Sequence, residues 1–181
     1  MKASEDLRKE HELIKAALNV LEKVITKIRL NENTDTTDLK ELVDFLIVFA
    51  DKCHHGKEET YYFPALEKAG IPKEGGPVGV MLNEHDQGRS YIRQMKESVS
   101  GESTDMQAFA KAAMSYITLM RNHIDKENNI LFMMGDQRMP EETQMELLEK
   151  FGEHEYTVIG EGKHEELHAM LEKFEQKYQF D

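Results

Sequence analysis

The chain has 181 residues with 35 Asp and Glu against 23 Lys and Arg, a formal net charge of −12, so nucleic acid and anionic lipid surfaces are excluded as natural partners. Hydrophobic residues make up 39% and charged residues 32%, with only 4 Pro and 11 Gly, which is the composition of one soluble helical domain, with or without a tail, and not of a disordered chain. The longest apolar run, Phe45 to Ala50, is too short to cross a membrane, the N-terminal MKASEDLRKEHEL is too charged for a secretory segment, and the lone Cys53 has no internal disulfide partner; a cytoplasmic location is the expectation.

Apolar residues recur at three-four spacing through long segments, as amphipathic helices require. The first covers about 4–29, with Leu7, His11, Ile14, Leu18, Leu21, Ile25 and Ile28 on one stripe. NENTDTTD then supplies a loop and helix-capping side chains. The second covers about 38–69, with Leu42, Leu46, Ala50, His54, Glu58, Tyr62 and Leu66 near one slowly drifting seam; Pro64 is expected to bend it and Gly70 to stop it. The third, about 77–100, carries Val78, Met81, His85, Gly88, Ile92, Met95 and Val99. The fourth, about 105–135, carries Phe109, Ala113, Tyr116, Met120, His123, Glu127, Ile130 and Met134, with Gly135 expected to end it. Beyond Pro140, two shorter helical stretches at about 141–151 and 163–179 flank a Gly160-Glu161-Gly162 break. Four long helices joined by short loops give an all-α, up-down-up-down four-helix bundle over residues 1–138, with 139–181 a C-terminal helical extension.

Each seam is apolar except at one level, where a histidine occupies a core position, followed four residues later on the second and fourth helices by a glutamate. Buried imidazole and carboxylate cost several kcal/mol unless paired or bound to a metal. In an antiparallel bundle, distance from the start of odd helices must match distance from the end of even ones. His11 and His85 lie about seven and eight residues from their starts, while His54, Glu58, His123 and Glu127 lie roughly 8 to 15 residues from their ends, at about 1.5 Å per residue. All six therefore share one slab near one end of the bundle. Histidines with two carboxylates suit a pair of first-row transition metals, whereas hard cations take oxygen donors. His55 and Glu59 repeat the spacing of His54 and Glu58 one position on, so periodicity leaves both registers open.

The segments KEHELI, HHGKEETYYFP, GPVGVMLNEHD and HIDKENNILF resemble those of hemerythrin-like (HHE cation-binding) domains, over roughly residues 8–135, and are similar also to di-iron proteins that repair iron-sulfur clusters. The resemblance implies a non-haem, carboxylate-bridged centre of two iron ions. His11, His54, His85 and His123 would be terminal ligands and Glu58 and Glu127 bridges, with the His54/Glu58 register preferred. Oxygen-carrying hemerythrins have five histidines, two of them four residues apart on the third helix, where this chain has Arg89 after His85. The extra helix-one histidine of the repair proteins has no counterpart in residues 20–36. One ligand is missing by either template. The extension leaves from the site end of the bundle and carries His154, His164 and His168, and His164 is the candidate for the remaining ligand.

An open position at such a centre suits binding or sensing of a small diatomic ligand, oxygen or nitric oxide. The alternative is a di-iron enzyme or an iron-donating repair protein, acting on peroxide, nitric oxide or damaged clusters. Sensing would call for a separate protein redox or signalling partner. Ferritin-like storage fits less well, because Glu-x-x-His pairs occur only at Glu161/His164 and Glu165/His168 on the extension.

Overall fold

The computed structural model describes residues 1–179, and the described residues form six helices and no strand. Helix α1 is Ala3–Arg29, α2 spans 36–68, α3 is Pro77–Ser100 and α4 spans 106–138. Helices α5 (Glu141–Val158) and α6 (Lys163–Lys177) follow. Capping chemistry explains the starts. Asp35 accepts from the Thr37 amide at 2.9 Å to open α2, Asp105 accepts from Ala108 at 2.9 Å to open α4, and Pro77 begins α3 where no amide hydrogen is required. Gly70, at φ 84°, closes α2 in the left-handed conformation that favours glycine.

The first four helices pack in cyclic order, α1 against α2, α2 against α3, α3 against α4 and α4 back against α1, as an up-down-up-down bundle does. Two hydrophobic clusters fill it. One includes Ile14, Leu18, Leu21, Phe45, Phe49, Phe109 and Met120; the other, at the opposite end, includes Leu7, Tyr62, Leu66, Met81, Leu131 and Phe132. Leu147 and Phe151 of α5 join the second cluster, and Leu167, Leu171 and Phe174 of α6 join the first. The extension therefore runs back along the bundle, against α1 and α2, and shares its core. No described helix is long and apolar enough to cross a membrane.

Two boundaries differ from those read off the sequence. Helix α4 continues through Gly135 to Arg138, because a Cβ there would lie 2.7 Å from the Tyr62 hydroxyl and 2.8 Å from Leu66; the glycine admits α2, it does not stop the helix. Helix α5 likewise runs past Gly152 to Val158. Helices α2 and α4 also contain wide, π-helical stretches at Leu46–His55, Glu58–Tyr62 and Glu127–Leu131. Hydrogen bonds there close on the fifth residue instead of the fourth, so each residue turns through less of the circle. All three stretches lie at the level of the polar slab or beside it.

Candidate metal centre

The wide turns decide which side chains meet. Where an ordinary α-helix would point consecutive residues about 100° apart, the stretch Leu46–His55 ends with His54 and His55 both buried, at 0% and 2% exposure. The donors of His11, His54, Glu58 and Glu127 lie within 4.8 Å of one another, and so do those of His55, Glu58, His85 and His123. Glu58 belongs to both groups: one oxygen is 3.4 Å from His54 Nε2 and the other 3.3 Å from His85 Nε2. Glu127 Oε2 lies 3.2 Å from both His11 Nε2 and His123 Nε2, so it too stands between the groups.

The structure thus brings together His11, His54, Glu58, His85, His123 and Glu127, and it adds His55, whose register the sequence left as the alternative. Glu59 does not enter either group; it accepts from His85 Nδ1 at 2.7 Å. His164, expected as the remaining ligand, does not join them. It sits on α6 with its ring 5.5 Å from that of Phe49, outside both donor groups, because α6 packs along the apolar cluster beyond the slab. The fifth imidazole comes from α2 instead. The doublet His54-His55 was the available signal, but a regular 3.6-residue period admits only one of the pair to a seam.

Outer hydrogen bonds orient the rings. His54 Nδ1 donates to Glu10 Oε2 at 2.7 Å, His123 Nδ1 to Glu84 Oε2 at 2.9 Å and His11 Nδ1 to the amide oxygen of Asn128 at 2.8 Å. Carboxylate and amide oxygens only accept, so these Nδ1 atoms carry the proton and Nε2 is free to face the centre. His55 Nδ1 lies 3.5 Å from Asp51. Each acidic partner is held by a cation: Glu10 by Lys57 at 2.6 Å, Glu84 by Lys126, and Asp51 and Glu59 together by Arg89 at 2.8 and 2.6 Å. Arg89, four residues after His85, anchors the partners of His55 and His85.

The inner atoms, in contrast, lack partners. His11 Nε2, His54 Nε2, both nitrogens of His55, and both oxygens of Glu58 and of Glu127 are buried without hydrogen bonds; their close approaches do not align as such. Buried polar atoms without partners cost about 1–3 kcal/mol each, so so many converging on one point call for a bound group. Burial and the neighbouring charge of Glu127 push the Glu58 carboxyl up to about 7, while burial of Glu127 is outweighed by the charge of His123, which holds that carboxyl well below the usual range. Burial lowers His11, His55 and His85, leaving these imidazoles neutral and able to donate a lone pair. Against burial, the neighbouring carboxylates hold His54 and His123 up at about 10, so these two rings give up a proton when they bind; imidazole nitrogen and carboxylate oxygen donors in this ratio fit a pair of first-row transition-metal ions. The cluster is walled by Phe132, stacked on His11 at 5.4 Å, and Phe63, stacked on His85 at 5.6 Å. Cys53 is buried and its thiol is pushed up to about 12 by burial and by Glu10, which makes it an inert filler of the core.

Comparison with known proteins places this helical fold in a family. Residues 2–135 match the hemerythrin HHE cation binding domain, and the chain belongs to that family of cation-binding helical domains. Uncharacterized proteins of Mycobacterium tuberculosis and Mycobacterium bovis are each 26% identical over 163 residues, covering 88% of this chain and 63% of their own length. The iron-sulfur cluster repair protein YtfE of Yersinia pestis is 32% identical over 85 residues, 44% of this chain and 38% of the relative. The chain thus spans under two thirds of the length of the relatives it matches. No solved structure matches it.

Proposed function

We propose that the chain holds two iron ions and uses them to bind or sense oxygen or nitric oxide. The observation that carries this reading is the set of five imidazoles and two carboxylates, buried and converging, in which the facing atoms of His11, His54, His55, Glu58 and Glu127 have no hydrogen-bond partner. One ion would take His11 and His54, the other His55, His85 and His123, with Glu58 and Glu127 shared. When bound, such a pair supplies an open coordination position and electrons for a small diatomic ligand. The position served by two imidazoles has fewer protein donors than the one served by three, so it is the natural place for the ligand.

The surrounding residues prepare that position. Glu10 and Asn128 fix the rings of His54 and His11, Phe132 excludes water beside them, and the fully buried Tyr62 hydroxyl, without a hydrogen-bond partner, offers one donor near the cluster. A site closed in this way favours a small neutral ligand over an ionic one. His55 would bring the set to five histidines, the number that oxygen-carrying hemerythrins have, and this supports the binding reading.

A second reading, an iron-donating repair protein or di-iron enzyme, is favoured by one observation, the 85-residue similarity to YtfE. The two readings separate experimentally. Anaerobically purified protein is expected to hold about two irons per chain and to develop a reversible charge-transfer band with oxygen or nitric oxide. Steady-state consumption of peroxide or nitric oxide, or transfer of iron to a damaged cluster, would select the second reading. Less than one metal per chain after anaerobic iron loading would overturn both. A sensing role further implies a protein partner that reads the state of the centre.

A further inference from the structure

Helix α5 lies beyond the matched family segment, yet it touches the metal centre's supports at two points. Glu155 places a carboxylate oxygen 3.1 Å from Lys57 Nζ. Lys57 is 1% exposed, lies over the Phe151 ring of α5 at 5.6 Å, and donates to Glu10 at 2.6 Å; Glu10 in turn accepts from His54 Nδ1 at 2.7 Å. A continuous chain of charged contacts thus joins a half-exposed residue of the extension to one imidazole of the centre. One turn of backbone is held as well. His154 Nε2 donates to the Lys52 carbonyl at 3.0 Å and stands where a Cβ on Gly56 would lie, 2.6 Å away. Lys52 and Gly56 flank His54 and His55, at the end of the wide stretch.

We propose that α5 is a working part of the centre, with Glu155 and His154 as positioning residues. His154 holds the wide turn that admits two consecutive histidines, and Glu155, through Lys57 and Glu10, holds His54. The inference rests on the metal reading above and deepens it by making the two metal positions unequal. The partners of His55, His85 and His123, namely Asp51, Glu59 and Glu84, are anchored by Arg89 and Lys126, none of which belongs to α5. Through Glu155 the extension therefore acts on the His11/His54 position, the one suited to the diatomic ligand. Anything that shifts α5 reaches the centre by this route.

The test uses the full chain loaded anaerobically with ferrous iron. In Glu155→Gln, one iron is expected to leave to a chelator about ten- to a hundredfold faster, the size usual for loss of an outer partner of a metal-bound histidine, while the other keeps its rate. One Mössbauer doublet should shift and the other stay. In the metal-free chain, His154→Ala should speed amide exchange across residues 46–62, and His154→Gln, which keeps a donor for the Lys52 carbonyl, should restore it. Equal acceleration of both irons, or of neither, overturns the coupling through Glu155; unchanged exchange in His154→Ala overturns the bracing of the turn. A wild-type chain that takes up no iron overturns the metal reading instead, and the exchange comparison then still decides the role of His154.

Discussion

Removing the Lys57 ammonium would leave the Glu10 carboxylate buried with one partner fewer, so Lys57→Met should destabilise the metal-free protein by about 3–5 kcal/mol, read from urea unfolding. Burial pushes Glu10 up, but the hydrogen bond from His54 and the Lys57 charge outweigh it and hold the carboxyl at about 2, against 4.5 for an ordinary glutamate. A depressed carboxyl stabilises the fold above its unfolded value. That contribution, about 3 kcal/mol, is present above pH ~4.5 and is lost as pH falls towards ~2. Unfolding measured across this window should show a steep acid limb that Glu10→Gln flattens. Among the imidazoles, His55→Ala should reduce bound iron from about two to about one per chain, whereas His164→Ala should leave metal content unchanged, as elemental analysis would show. His55 escaped a periodic reading because a seam of period 3.6 has room for one member of a doublet.

Helices α2 and α4 are joined by a contact that one methyl group would break. A Cβ at residue 135 would meet both the Tyr62 hydroxyl and Leu66 Cδ2 inside 3 Å. Both neighbours are fully buried, so neither has room to retreat. Gly135→Ala should therefore cost about 1–3 kcal/mol, seen as a lower denaturant midpoint with an unchanged slope. The same helices show why periodicity located the long elements but not their wide turns. Their hydrophobic stripes survive a local change of winding, and Pro64, which has no amide hydrogen for the preceding turn, stands one residue beyond the wide stretch Glu58–Tyr62.

The polar slab lies between two apolar clusters, and in the metal-free protein it concentrates Glu58, Glu127 and the unpartnered imidazole nitrogens in one buried layer. Cations at that layer would satisfy these atoms only in the folded chain. At a free metal concentration a thousandfold above its dissociation constant, binding stabilises the fold by about 4 kcal/mol. Chelation should accordingly lower the melting temperature by on the order of 10 °C, measured by calorimetry before and after metal removal. An unchanged melting temperature would argue against a buried metal centre.

Helix number, the bundle and the common height of His11, His54, Glu58, His85, His123 and Glu127 follow from local spacing, because periodicity and loop length are properties of neighbouring residues. Three features depend instead on contacts between segments far apart in the chain. The winding of α2 brings in His55, the packing of α6 carries His164 away from the slab, and α5 sets Glu155 against Lys57, 98 residues distant in sequence. A hydrophobic pattern records which face of a helix is buried. It does not record where that helix changes pitch, or which cation on one helix lies beside a carboxylate on another.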